Sequence, residues 1–186
     1  MMRLFTAIQI QEDAVQELLQ LQLAVKQQFV SRKWQPADRM HLTLHFLGEL
    51  SEQQADTVKQ ELSRAAAACQ PFELCLAGIG AFPSLHKPRV LWAGIKNEDG
   101  RLSDFQQALA DRLRQEGLYN EDRRYSPHVT IAREVSLKEA ESGQSSLPAV
   151  QPIRWMVHEV TLFRSTLTGK GPLYEVVDTY PFHPSR

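Results

Sequence analysis

Two short segments, His41-Leu42-Thr43-Leu44 and His128-Val129-Thr130-Ile131, share one order of histidine, aliphatic, threonine, aliphatic. That alternation is the period of a half-buried strand. The histidine and threonine of each segment then share one face, and the aliphatic side chains enter the core. Brought together, two such strands place two imidazoles and two hydroxyls around one small space. Imidazole has the side-chain pKa nearest neutrality, so one copy can be neutral while its twin is protonated. Held on opposite sides of a phosphodiester, the pair can activate water and protonate a leaving alkoxide. The threonine hydroxyls lie about 6.5–7 Å further along each strand. They can donate hydrogen bonds to the non-bridging phosphoryl oxygens, where charge builds up in the transition state. No metal is required. Either motif alone would be an ordinary half-exposed strand histidine; the repetition gives them meaning.

Neighbouring residues extend the pattern. By alternation His45 shares the face of His41 and Thr43, which makes it a peripheral substrate contact or an exposed strand residue. On a strand, His41 and His45 are about 13 Å apart, too far to share a metal. Phe46 is expected to point inward with Leu42 and Leu44. Strict alternation puts Arg133 on the face opposite His128 and Thr130, so it reaches their site only if the strand ends or bulges near Ala132. There its guanidinium would grip phosphate in bidentate fashion or stack on a base. Arg39, Arg123, Arg124, Arg154, Arg164 and Lys170 are candidates for a local positive field. Trp34, Trp92 and Trp155 are expected to pack in the core or rim. His86, His158 and His183 lie outside the motifs and receive no role.

The elements that must position these groups can be read from periodicity and breakers. Residues 3–10 alternate as a strand, and Glu12 to Val30 carry apolar residues at helical spacing, followed by a loop at Trp34–Asp38. The first motif strand covers about 40–47. Ser51 and Gln54 form a capping box that opens a helix to about Cys69. Strand-like runs at 72–79 and 89–95 flank a connection containing Gly80, Pro83 and Pro88. A helix begins after Gly100 and runs to about Glu116, then a charged loop leads into the second motif. Residues 136–152 are expected to be irregular, and strands at about 153–164 and 173–180 close the chain. The strands are joined too closely for an all-parallel sheet, which makes the class α+β.

With 186 residues, 42% hydrophobic and 23% charged, the chain fits one domain with a sizeable core. A net charge of −1 excludes bulk attraction to long nucleic acid, so any phosphate binding must come from a local basic cluster. Cys69 and Cys75 lack metal-site spacing and are expected to be reduced thiols. The N-terminal apolar stretch is too short for a signal peptide, and no run reaches the length of a membrane span. A cytoplasmic protein is expected.

Arg39 to Gly48 and Tyr125 to Arg133 resemble the two signature elements of the 2H phosphoesterase superfamily, in particular the bacterial RNA 2′,3′-cyclic phosphodiesterases, historically called 2′-5′ RNA ligases. The similarity extends to the opening strand Arg3–Ile8, to Arg89–Trp92, to Thr161–Ser165 and to Gly171–Tyr174. The resemblance implies one bilobal α+β domain over residues 1–186. Two antiparallel sheets would face each other across a central cleft, with helices outside and a pseudo-twofold between the motifs. It implies His41 and His128 as catalytic histidines; the near-symmetry of the motifs leaves their roles open, and we assign His128 as general base and His41 as general acid. Thr43 and Thr130 would bind phosphate, and Arg133 would lie near the substrate. The implied activity is hydrolysis of 2′,3′-cyclic phosphates on RNA ends or nucleotides to 2′-phosphates, by a monomer without cofactor. Alternatives are 2′-5′ ligation of tRNA halves as a minor reverse activity, or a non-catalytic RNA- or nucleotide-binding module.

Overall fold

The structure is a computed structural model that describes residues 1–138, 147–169 and 171–183. Among the described residues, nine strands and three α-helices come in the order β1 (Met2–Gln9), α1 (Glu12–Val25), β2 (Phe29–Trp34), β3 (His41–Leu50), α2 (Glu52–Ala67), β4 (Phe72–Ser84), β5 (Lys87–Lys96), α3 (Arg101–Gln115), β6 (His128–Leu137), β7 (Arg154–Val157), β8 (Glu159–Thr168) and β9 (Gly171–Pro181), with a 3-10 turn at Ala37–Arg39 between β2 and β3. The class is α+β, with every strand pairing antiparallel.

The strands hydrogen-bond along one path, β7-β4-β5-β6-β3-β1-β8-β9, with β2 added beside β6. Where two separate sheets were expected, the pairing runs on from one to the other through a single residue pair, Leu42 with Val129. Beyond that pair β6 turns its free edge to β2, from Ala132 to Leu137.

Amphipathic helices cover one face of this sheet. α1 packs against β6, α3 against β3, and α2 against α3, β1, β8 and β9. In α1 the residues turned inward include Val15, Leu18, Leu21 and Val25, at the spacing one helical face demands. The capping box at Ser51 and Gln54 is formed as expected: each side chain bonds the other's backbone N–H at the start of α2. Leu42, Leu44, Val129 and Ile131 lie fully in the core, which leaves the histidines and threonines of both motifs on the helix-free face. No helix among the described residues is long and apolar enough to cross a membrane.

Four boundaries differ from the sequence reading. The first helix ends at Val25, and Phe29–Trp34 is a strand. Helical spacing continued only by accident there, while the buried Phe29 and the open edge of β6 offer better burial and pairing. The Gly- and Pro-containing stretch belongs to a long β4–β5 hairpin, whose pairing runs out to Ser84 and Lys87. The run 153–164 divides at His158 into β7 and β8, which join opposite ends of the sheet. Of the expected irregular connection, 136–137 belong to β6 and 147–153 form no regular element; 139–146 lie outside the described residues.

Candidate active site

Register around the Leu42–Val129 pair organises the site. In an antiparallel ladder the residues flanking such a pair face each other crosswise. His41 therefore stands across from Thr130, and Thr43 across from His128. The two motifs meet head to tail, each histidine beside the other strand's threonine.

Both motif strands are then broken by a β-bulge at the same step. On β3, Ala7 pairs with Thr43 and Thr6 with His45, so Leu44 is the extra residue. On β6, Trp92 pairs with Thr130 and Leu91 with Ala132, so Ile131 is extra. A bulge moves the alternation on by one residue and re-aims the side chains beyond it. Leu44 and His45 are consequently both buried, as are Ile131 and Ala132. Phe46 turns outward on the first strand and Arg133 on the second, and both line the cleft.

Two expectations fall with this geometry, and a third depends on it. His45 is not a substrate contact or an exposed strand residue: it is 1% exposed, hydrogen-bonded to the Thr6 hydroxyl at 2.9 Å and to the backbone carbonyl of Gln106 at 3.0 Å. Phe46 is not a core residue; it is 67% exposed. Arg133 reaches the cleft by the bulge it needed, which falls at Ile131, one residue before Ala132.

The cleft has a volume of about 580 Å³, and His41, Thr43, His128 and Thr130 all line it. Each histidine is oriented by backbone two residues upstream. His128 donates from Nδ1 to the Ser126 carbonyl at 2.7 Å, which leaves Nε2 for chemistry. His41 makes the corresponding hydrogen bond to the backbone of Arg39. Aromatic walls fix both rings. His41 lies against Phe5 and the edge of Tyr174, with centroids 5.0 and 5.2 Å away, and His128 against Phe82 and Trp92 at 5.0 and 5.8 Å. Trp92 in turn lies over Gly80, where a Cβ would come within 2.1 Å of the indole. The wall behind His128 thus requires glycine at that position.

Burial pushes the His41 imidazole down to about 4, helped by the positive charge of Arg133 and opposed by the Arg39 hydrogen bond. The same balance lowers His128. Both rings are therefore held towards the neutral form. An anion bound among them offsets the Arg133 charge and favours protonation.

Of the proposed positive field, Arg39, Arg123 and Arg124 line the cleft with Arg133. Arg123 is bonded to Glu121, whose carboxyl it holds down at about 2. Arg154 is engaged with Glu73 and Glu98 outside the cleft. Arg164 sits on β8 opposite Leu4 and does not line the cleft. Lys170 lies outside the described residues. Trp155 is in the core, and Trp34 sits at a rim under Lys26. Cys69 and Cys75 are free thiols, and burial pushes Cys69 up to about 11.

Sequence reasoning missed Tyr174, Tyr125 and Gln106, which line the cleft, and Gln22, which braces it. Gln22 donates from Nε2 to the carbonyls of Gln35 and Ile131 at 2.6 and 2.8 Å, holding the second bulge. A glutamine buried on the apolar face of an otherwise ordinary helix was the available signal.

A family profile described as the 2′-5′ RNA ligase superfamily matches residues 9–169. Among curated relatives, an RNA 2′,3′-cyclic phosphodiesterase of Thermus thermophilus is 32% identical over an alignment of 189 positions, gaps included, covering 96% of this chain and 89% of the relative. One of Thermotoga maritima is 30% identical, covering 95% and 93%. In fold, a crystal structure of a Thermus thermophilus protein superposes with a TM-score of 0.83 at 27% identity over the whole of both chains. LigT of E. coli in complex with 3′-AMP gives 0.79 at 24% identity, covering 97% of this chain and 98% of that one.

Proposed function

Since the chain belongs to the 2′-5′ RNA ligase superfamily, we propose that it hydrolyses 2′,3′-cyclic phosphates on RNA ends or nucleotides to 2′-phosphates without a metal. Relatives about 30% identical bear the name RNA 2′,3′-cyclic phosphodiesterase, which supports the general activity. The observation that carries the finer reading is the crosswise meeting of His41, Thr43, His128 and Thr130 about one strand pair, in a cleft bordered by four arginines.

That arrangement supports the following chemistry. The phosphoryl group sits between the two histidines, its non-bridging oxygens accepting hydrogen bonds from Thr43 and Thr130 and facing Arg133. His128 takes a proton from water as the water oxygen bonds to phosphorus, and the P–O3′ bond breaks. His41 gives its proton to the departing O3′. Water supplies both the new oxygen and the proton that restores the pair. Developing charge on the phosphoryl oxygens is met by donors already in place, the effect that dominates such catalysis. Strain in the five-membered cyclic phosphate lowers the barrier left to the protein. One chain supplies both motifs, so the reading needs no protein partner, and it assigns the enzyme to the cytoplasm.

Ligation through a 2′-5′ linkage is the same displacement of O3′ with a ribose 5′-hydroxyl attacking in place of water. Water's excess keeps it minor. A non-catalytic binding module is disfavoured by two intact motifs whose histidines are both hydrogen-bonded into the cleft wall.

The test is turnover of adenosine 2′,3′-cyclic phosphate by purified protein in EDTA. Release of adenosine 2′-phosphate, with a bell-shaped pH–rate profile, is expected. The profile belongs to the coupled pair rather than to either ring alone. Binding without turnover would favour the module, and a rate that depends on added zinc would overturn the metal-free mechanism.

A further inference from the structure

The two motif strands share one ladder pair, yet the grip on a phosphate depends on their separation to within a fraction of an ångström. A side chain reinforces that junction. Tyr125, three residues ahead of His128, donates its hydroxyl to the backbone carbonyl of Thr43 at 3.2 Å, across 82 positions of sequence. We infer that Tyr125 is a positioning residue that ties the second motif to the first and fixes the distance between the groups that hold the phosphate. The inference rests on the cyclic phosphodiesterase reading of the cleft.

Placement of the bond supports this role. The carbonyl it reaches belongs to Thr43, whose hydroxyl is assigned to the phosphate. The segment that bears Tyr125 is anchored at each succeeding residue. The Ser126 carbonyl accepts from His128, and the Pro127 carbonyl accepts from the backbone N–H of Ile95. Upstream, Arg114 holds the Glu121 carbonyl at 2.9 Å. Tyr125 is thus a rigid strut from the histidine of one motif to the threonine of the other. Burial pushes its phenol far above the usual tyrosine range. The hydroxyl therefore stays protonated, and able to donate, well above neutral pH. A tyrosine that only filled space would lose nothing on removal of its oxygen.

The experiment is a double-mutant cycle read by inorganic phosphate binding, below the melting temperature of the least stable variant. Tyr125→Phe keeps the ring and removes the strut. It is expected to weaken phosphate five- to tenfold in the otherwise unaltered protein, and less than twofold in a Thr43→Ala background. On cyclic nucleotide, Tyr125→Phe should lower kcat about tenfold. Equal weakening in both backgrounds, or none in either, would overturn the inference. Phosphate binding does not require turnover. A wild-type protein that failed to hydrolyse adenosine 2′,3′-cyclic phosphate would defeat the proposed function and leave this cycle readable.

Discussion

The two motif strands have the same frame and different contents. β3 and β6 each run histidine, core residue, threonine, bulged residue, buried residue, and then a residue turned into the cleft. The last two positions are His45 and Phe46 on β3, Ala132 and Arg133 on β6. The bulges are also braced differently. On β3 the buried His45 side chain reaches Thr6 and the backbone of α3 at Gln106. On β6 the side chain is only a methyl group, and the strand carbonyl of Ile131 is held instead by Gln22 of α1 and the backbone N–H of Gln35. In the proposed mechanism the shared part carries the reaction, and what differs sets the polarity of the cleft. The first motif contributes an apolar ring and the second a positive charge, so the two sides of the cleft present different surfaces.

Breaking the shared part should cost most. His41→Ala and His128→Ala are each expected to reduce kcat at least a thousandfold on adenosine 2′,3′-cyclic phosphate, at the upper end of what one acid or base supplies. Full activity in both variants would show that the repeated motif is not the site. Thr43→Ala and Thr130→Ala should cost less, on the order of 10–100-fold, since each removes one donor to the phosphoryl oxygens.

Next come the residues that the bulges turn outward. Arg133→Ala should weaken inorganic phosphate about tenfold, an effect that fades with added salt, as befits an exposed cation. Phe46→Ala should leave phosphate binding within about twofold, because an apolar ring offers it nothing. If both variants lost phosphate equally, the two strands would not differ as the geometry says.

The braces should give the smallest effects. Gln22→Leu deprives the Gln35 carbonyl of a donor and removes one of the two bonds to the Ile131 carbonyl. A loss of about 1–2 kcal/mol is expected, or a few degrees in melting temperature. Acid tests the other brace. Burial lowers His45 to about 4 in the folded protein, below its ordinary value near 6.5. Its contribution is full above about pH 6.5 and is lost as pH falls towards 4, because the unfolded chain binds the proton more readily. His41 acts with the same sign. His45→Gln should therefore flatten, without abolishing, the fall in melting temperature between pH 6.5 and 4. An unchanged slope would place the acid sensitivity elsewhere.

These contrasts also explain what the sequence made legible. The repeated His-x-Thr-x order exposed the site because alternation holds over the four residues before each bulge. It failed at the fifth and sixth, where one inserted residue reverses the assignment. Hence Phe46 was placed in the core and His45 at the surface, and both are the other way round. Nothing local distinguishes Leu44 or Ile131 as bulged; the insertion is dictated by pairing with β1 and β5 and by side chains from distant helices. The strand β2 was hidden for a similar reason. Its residues pair with β6, about a hundred positions away, while their spacing imitates the helix just before them.

Everything in the proposed mechanism turns on the division of labour between the histidines, and an activated leaving group probes it. On a 4-nitrophenyl phosphodiester the departing phenolate needs no proton, while the attacking water still needs a base. His41→Ala should then retain activity within about tenfold of wild type, and His128→Ala should lose at least a hundredfold more. Rescue of His128→Ala instead would exchange the two roles, and rescue of neither would contradict the acid–base pair.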